Sequence, residues 1–183
     1  MLKIYSLLIL MLISGTEFAE DYKPHLYPVP PTTENSLFYV QRSKNTNAIV
    51  YDLNRLPDGT PDPKNPISIY WIRYAVDSTK EELSYIQQKY AYGLVSRPYN
   101  NQKIAYVLQF VSYDKKNFYL LPTGVPKKYA AFTNINGKLA ELKKVFIMLN
   151  GGTFWFPTIE YIEMVGKDPT THQIITERFV PKR

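Results

Sequence analysis

Two histidines, no cysteine and a scatter of carboxylates bound the chemistry open to this chain of 183 residues. His25 falls in a proline-rich stretch and His172 in a polar turn, and neither has a serine and an acid beside it to form a nucleophilic triad. Without thiolates, two imidazoles leave a zinc site short of ligands, so both read as surface histidines. The missing cysteine also excludes a disulfide scaffold, a cysteine nucleophile and lipid attachment through an N-terminal cysteine. Asp52, Asn54, Asp58 and Asp62 set oxygens along one loop. Leu56 stands where an EF-hand needs an oxygen and no glutamate closes the loop, so turn chemistry is the simpler account. No glycine-rich phosphate loop is present, and no cofactor is expected. Glycoside hydrolysis needs two acids in one cleft. Glu160 and Glu163 alternate to opposite faces of one strand, which leaves Glu160 and Glu177 as the pair able to meet across a hairpin.

Binding residues are easier to name. Arg42, Arg73 and Gln109 lie in strand-like segments that otherwise read as apolar. A guanidinium set among Tyr39, Trp71 and Tyr106 would anchor the acidic head of an apolar ligand, so the candidate set is Tyr39, Arg42, Trp71, Arg73 and Gln109. The competing account makes Arg42 and Arg73 strand-end residues that reach solvent or pair with Asp52 and Asp77. The chain's formal charge of +6 is concentrated between Asp114 and Lys144. Lys115, Lys116, Lys127, Lys128 and Lys138 there sit at turns or strand ends, where they either form a basic rim for anionic lipid or glycan or simply keep sheet edges soluble. Nucleic acid is not an expected partner of an exported protein. Sixteen tyrosines with Trp71 and Trp155 would suit a sugar-stacking face or a buried core equally. Asn150-Gly151-Gly152-Thr153-Phe154-Trp155-Phe156-Pro157 reads as a lid, a partner contact or an inward bulge.

These residues need elements to hold them. Residues 36–42 and 47–53 are rich in aromatic and branched side chains and form a hairpin across Ser43-Lys44-Asn45-Thr46. A proline-rich loop follows. Residues 67–75 then alternate Ile67, Ile69, Trp71 against Tyr70, Ile72, Tyr74, so both faces are apolar and something must cover the outer one. Ser78 with Glu81 and Thr79 with Glu82 make overlapping capping boxes, and Leu83, Ile86 and Tyr90 form a helical stripe that ends at Gly93. Further strands fall over 103–113, 118–121, 129–133, 139–149, 159–165 and 173–180. Asn136-Gly137 is the strongest short hairpin signal among their turns. The expected fold is mainly β: an antiparallel meander of about nine strands, curled or closed into a partly open barrel, with one packed α-helix.

The N-terminus reads separately. Lys3, the apolar run from Ile4 to Ile13 and the small residues Ser14, Gly15, Thr16 and Ala19 describe a secretory signal over 1–19. The run is too short for an ordinary membrane span, which takes about 20 apolar residues. A proline-rich extended lead-in covers 20–35, placed either as a docked strap or as a free linker, and one β-rich domain covers 36–183. The mature chain would be exported, periplasmic or secreted, with no transmembrane span.

The run from Tyr27 through Pro28-Val29-Pro30-Pro31 to Gln41-Arg42-Ser43, together with Ile67-Ser68-Ile69-Tyr70-Trp71-Ile72-Arg73-Tyr74 and Gln87-Gln88-Lys89-Tyr90-Ala91-Tyr92-Gly93, resembles an uncharacterised family of exported bacterial proteins. The likeness covers nearly all of the mature chain. That family is catalogued as a domain of unknown function, so the resemblance implies one exported domain and no reaction. Three functions remain as expectations: a binding protein for an apolar or acidic small molecule, a surface protein whose lysine hairpins meet anionic envelope components, and a glycan hydrolase.

Overall fold

The computed structural model describes residues 27–153 and 157–181. The expected signal, His25 and the aromatic run 154–156 lie outside the described residues. Among the described residues eleven strands form one sheet. They are β1 Ser36–Arg42, β2 Asn45–Leu53, β3 Ile67–Ile72, β4 Lys80–Glu82, β5 Leu94–Tyr99, β6 Gln102–Phe110, β7 Tyr113–Pro122, β8 Tyr129–Ile135, β9 Lys138–Gly152, β10 Pro157–Lys167 and β11 Ile174–Phe179. Nine of them run in the order β4-β3-β2-β1-β9-β8-β7-β6-β5, and β10 and β11 branch from β9. The mainly-β, curled and largely antiparallel fold read from the sequence is present.

The meander has one departure. β1 pairs with β9 in parallel, Tyr39 to Arg42 against Lys144 to Ile147. Residues Lys138 to Glu141 of β9 pair with β8, while β10 lines β9 from Glu141 to Gly152. Two arms, β1–β4 and β8–β5, therefore leave the same edge of β9, and the β10–β11 hairpin occupies the other. The arms curl toward each other and meet through aromatic side chains. Phe38 stacks on Tyr51 at 4.4 Å, and Tyr51 meets Phe110 edge-on at 5.7 Å. Phe110 in turn meets Phe118 at 5.1 Å. Such tilted and offset contacts add to the burial of the rings themselves.

Turn chemistry follows the sequence where it is local. Asn136 and Gly137 both take positive φ, 50° and 79°, and join β8 to β9 as a type I′ pair. Asn100 and Asn101 do the same between β5 and β6 at 50° and 59°. The helix is shorter than the spacing suggested. Lys80–Glu82 is strand β4, paired to Tyr70, Trp71 and Ile72. The capping box is made by Ser84 with Gln87, opening α1 at Tyr85–Gln87 and a π turn over Gln88–Tyr92. Of the expected stripe Leu83 is buried, whereas Ile86 and Tyr90 are exposed. Gly93 follows the turn at a position that only glycine fits, since a Cβ there would lie 1.9 Å from the Gln88 carbonyl oxygen.

Both faces of β3 are covered, as its residues required. Trp71 packs with Leu83 in the core and against Tyr92 at 5.3 Å. On the other face Tyr70 and Ile72 join Val50, Tyr39 and Tyr74. The described part of the proline lead-in, from Tyr27 on, docks beside this cluster against β1, β9 and Tyr74. The buried Gln41 amide donates to the Pro28 carbonyl at 2.6 Å, Tyr74 Oη donates to the Val29 carbonyl at 3.3 Å, and Tyr27 packs on Phe146.

Candidate functional site

A cavity of about 400 Å³ opens between the β6–β7 turn, the π turn and the inner faces of β9, β10 and β11. Its wall is mostly apolar, with Val145, Ile147, Ile159, Ile162 and Met164 on one side and the rings of Tyr92, Phe110, Phe118 and Phe179 on the other. The volume lies in the range of small-molecule sites, about 300–1,000 Å³. Lys116 stands at its edge. The Lys116 ammonium is 2.8 Å from Glu177 Oε2 and 5.1 Å from the centre of the Phe179 ring. Glu177 Oε2 also accepts from the Asn136 backbone N–H at 3.1 Å. One carboxylate thus ties β11 to β7 and to the β8–β9 turn. Burial opposes ionisation of Glu177, but the ammonium and the N–H outweigh it and hold the carboxyl below its usual range.

The five residues read as a ligand set do not share this cavity. Arg42, Trp71 and Arg73 come together instead along a polar groove of about 590 Å³ beside α1. Tyr39 lies on the outer face with Tyr74, where burial raises its phenol pKa. Gln109 is engaged in the β6–β7 hairpin, donating to Asn117 Oδ1 at 2.7 Å. Arg73 binds Glu81 at 2.6 Å, in place of the expected Asp77. Burial also raises the Tyr92 phenol, and the neighbouring Arg42 guanidinium, which hydrogen-bonds it, pulls the other way.

The lysines divide. Lys115 and Lys116 begin β7, and Lys138 follows the Asn136-Gly137 turn near that end. Lys127 and Lys128 lie at the far end of β7. There Arg55 holds the Lys127 carbonyl, and a Cβ on Gly59 would meet the Lys127 stem at 2.8 Å. The carboxylates are spent locally. Asp58 Oδ1 accepts from Thr60 N at 2.8 Å, Asp62 Oδ1 from Lys64 N at 2.9 Å, and Asp52 Oδ2 from Tyr70 Oη at 2.8 Å. Among the described residues no group of acids and imidazoles is placed to hold a metal ion. Glu177 stands opposite Met164 in the β10–β11 register, apart from exposed Glu160.

The cavity residues escaped the sequence reading, although Val145 and Ile147 share a strand parity that points inward. Their meeting with Ile162 and Met164 depends on the β9–β10 register, which is set by bulges.

Fold and site define a class: a mainly-β protein whose single curled sheet carries an apolar cavity and a separate polar groove. Within that class, the chain belongs to the family described as a domain of unknown function, DUF4833, which matches residues 38–178. No curated protein and no solved structure matches the chain. Among the described residues no helix is long and apolar enough to cross a membrane.

Proposed function

We propose that the chain is an exported, single-domain binding protein that holds an apolar small molecule inside its curled sheet. The observation that carries this reading is the cavity of about 400 Å³ with its largely apolar wall. Sites that take apolar ligands combine such a wall with a few polar groups at the edge. Lys116 and Ser112 stand there. Export rests on the signal pattern over 1–19.

The test is equilibrium binding of the solvatochromic dye Nile red, followed by displacement with aliphatic alcohols of increasing length. Wild type is expected to bind near one dye per chain. Ile147→Trp, which puts an indole into the cavity, is expected to weaken binding at least tenfold while the protein still melts cooperatively. Equal binding by the two proteins would refute the reading. Mass measurement of the processed chain, expected to lack about 15–19 N-terminal residues, tests export separately.

A further inference from the structure

We infer that the polar groove along β3 and α1 is a second binding site, one that takes a small ligand carrying a carboxylate or phosphate group. The groove is lined by Arg42, Asn45, Asn47, Arg73, Glu81 and Gln87, with Trp71 at its side. The inference does not depend on the apolar cavity. Its basis is an excess of hydrogen-bond donors whose direction is fixed.

Three amides line the groove, and each has its oxygen occupied by a donor that cannot be reversed. Asn45 Oδ1 accepts from Asn47 N at 2.8 Å, and Asn47 Oδ1 accepts from Ala75 N at 3.0 Å. Gln87 Oε1 accepts from Ser84 N at 2.9 Å and from Trp71 Nε1 at 3.4 Å. A backbone N–H can only donate, so the oxygen of each amide is turned to it and the NH₂ group is the other end of the amide. Each NH₂ carries two donors.

Two arginines, Arg42 and Arg73, and two carboxylates, Glu81 and Glu82, line the groove. Arg73 and Glu81 neutralise each other at 2.6 Å. Arg42 has the Tyr92 phenol as a hydrogen-bond partner but no carboxylate within ion-pair distance among the described residues. Its Nε is buried and has no hydrogen-bond partner among the described residues. A half-buried guanidinium beside amides that keep their NH₂ groups as donors can recognise an oxyanion, because the planar fork matches two oxygens at once. Arg42 also lines a smaller polar pocket with Ser43, Lys44 and Leu149, so it is reached from two sides.

The experiment is isothermal titration of the full chain with glucuronate and with inorganic phosphate, using glucose as the neutral control. Glucuronate binding alone identifies a carboxylate site, and phosphate binding alone a phosphate site. Asn47→Asp keeps the oxygen that caps Ala75 N and turns the free NH₂ into a charged acceptor. It is expected to weaken anion binding at least tenfold with little change in melting temperature. Gln87→Glu makes the same exchange from α1, should Asn47→Asp fail to fold. Wild-type binding of neither anion above the glucose control would overturn the inference, as would unchanged affinity in these variants. Loss of dye binding by Ile147→Trp with anion binding retained would show that the two sites stand or fall apart.

Discussion

Replacing Glu177 by glutamine tests the tie that holds β11 over the cavity. Glutamine keeps the length and an acceptor for the Asn136 N–H, but it loses the charge that holds Lys116. Both side chains are partly buried, at 29% and 19% exposure, so the pair is screened less than a surface bridge. A charge-assisted hydrogen bond in such a setting contributes about 1–2 kcal/mol. For a chain of this size that lowers Tm by about 2–8 °C at neutral pH. The carboxyl is held below its usual value, so its contribution is present above the unfolded pKa of about 4.5 and is lost as pH falls through the folded one. Thermal melts of wild type and Glu177→Gln at pH 7 and at about pH 3 are therefore expected to show a gap that closes on acidification. A gap of equal size at both pH values would refute the argument, because a neutral carboxyl and an amide would then differ for some other reason. Absence of any gap at pH 7 would show the tie to be energetically idle.

Tyr51→Phe removes one hydroxyl, which donates to the Tyr92 carbonyl at 2.8 Å, and leaves the ring stack intact; a loss of about 1–2 kcal/mol is expected in denaturant titration. Burial holds the Tyr51 phenol well above its ordinary value of 10.0. Its stabilisation is thus complete below about pH 10 and fades as pH rises toward the folded pKa, so Tyr51→Phe should lose less stability above pH 10 than wild type does. Gly166→Ala would put a methyl 2.5 Å from Ile135 Cδ1 and 2.9 Å from the Glu141 carbonyl oxygen. Overpacking of that kind costs about 1–3 kcal/mol, read as a lower denaturation midpoint with unchanged slope.

What the sequence made legible was local. Asn136-Gly137 announced its hairpin because both positions need positive φ. The two apolar faces of β3 required two covers: Leu83 and Tyr92 meet Trp71 on one, and Tyr70 and Ile72 pack with Val50, Tyr39 and Tyr74 on the other. The helix starts later than residues 78–82 suggest because two capping signals compete. Ser78 and Thr79 offer boxes, but Lys80–Glu82 instead satisfies the backbone of β3, and the start passes to Ser84. β9 shows a second limit. Leu139, Val145, Ile147 and Leu149 share a parity, yet Leu139 is 53% exposed while Ala140 and Leu142 are buried. A register shift opposite Leu142 and Lys144 switches the inward face, and no period-two count anticipates a bulge.

The same nonlocality explains why the candidate site was named only in part. Arg42 and Trp71 were singled out as polar and aromatic groups inside apolar strands, and β1–β2–β3 pairing does bring them to one groove. Gln109 satisfied the same criterion and lies in the other arm, bound to Asn117. Strand composition cannot say which arm a residue occupies when two arms leave one edge of β9. The cavity depends on that arrangement even more closely. One end of the inner space is filled by flat rings from both arms, Phe38, Tyr51, Phe110 and Phe118. Beyond them the wall passes to the shorter side chains of β9 and β10, and bulges at Ile159 and Tyr161 shift the β10 register. The cavity lies between those side chains and the rings of Tyr92, Phe110, Phe118 and Phe179. The interior is therefore apolar where it is open, and the unmatched donors lie outside it, beyond Tyr92, where Trp71 and Arg42 meet that ring from the groove side.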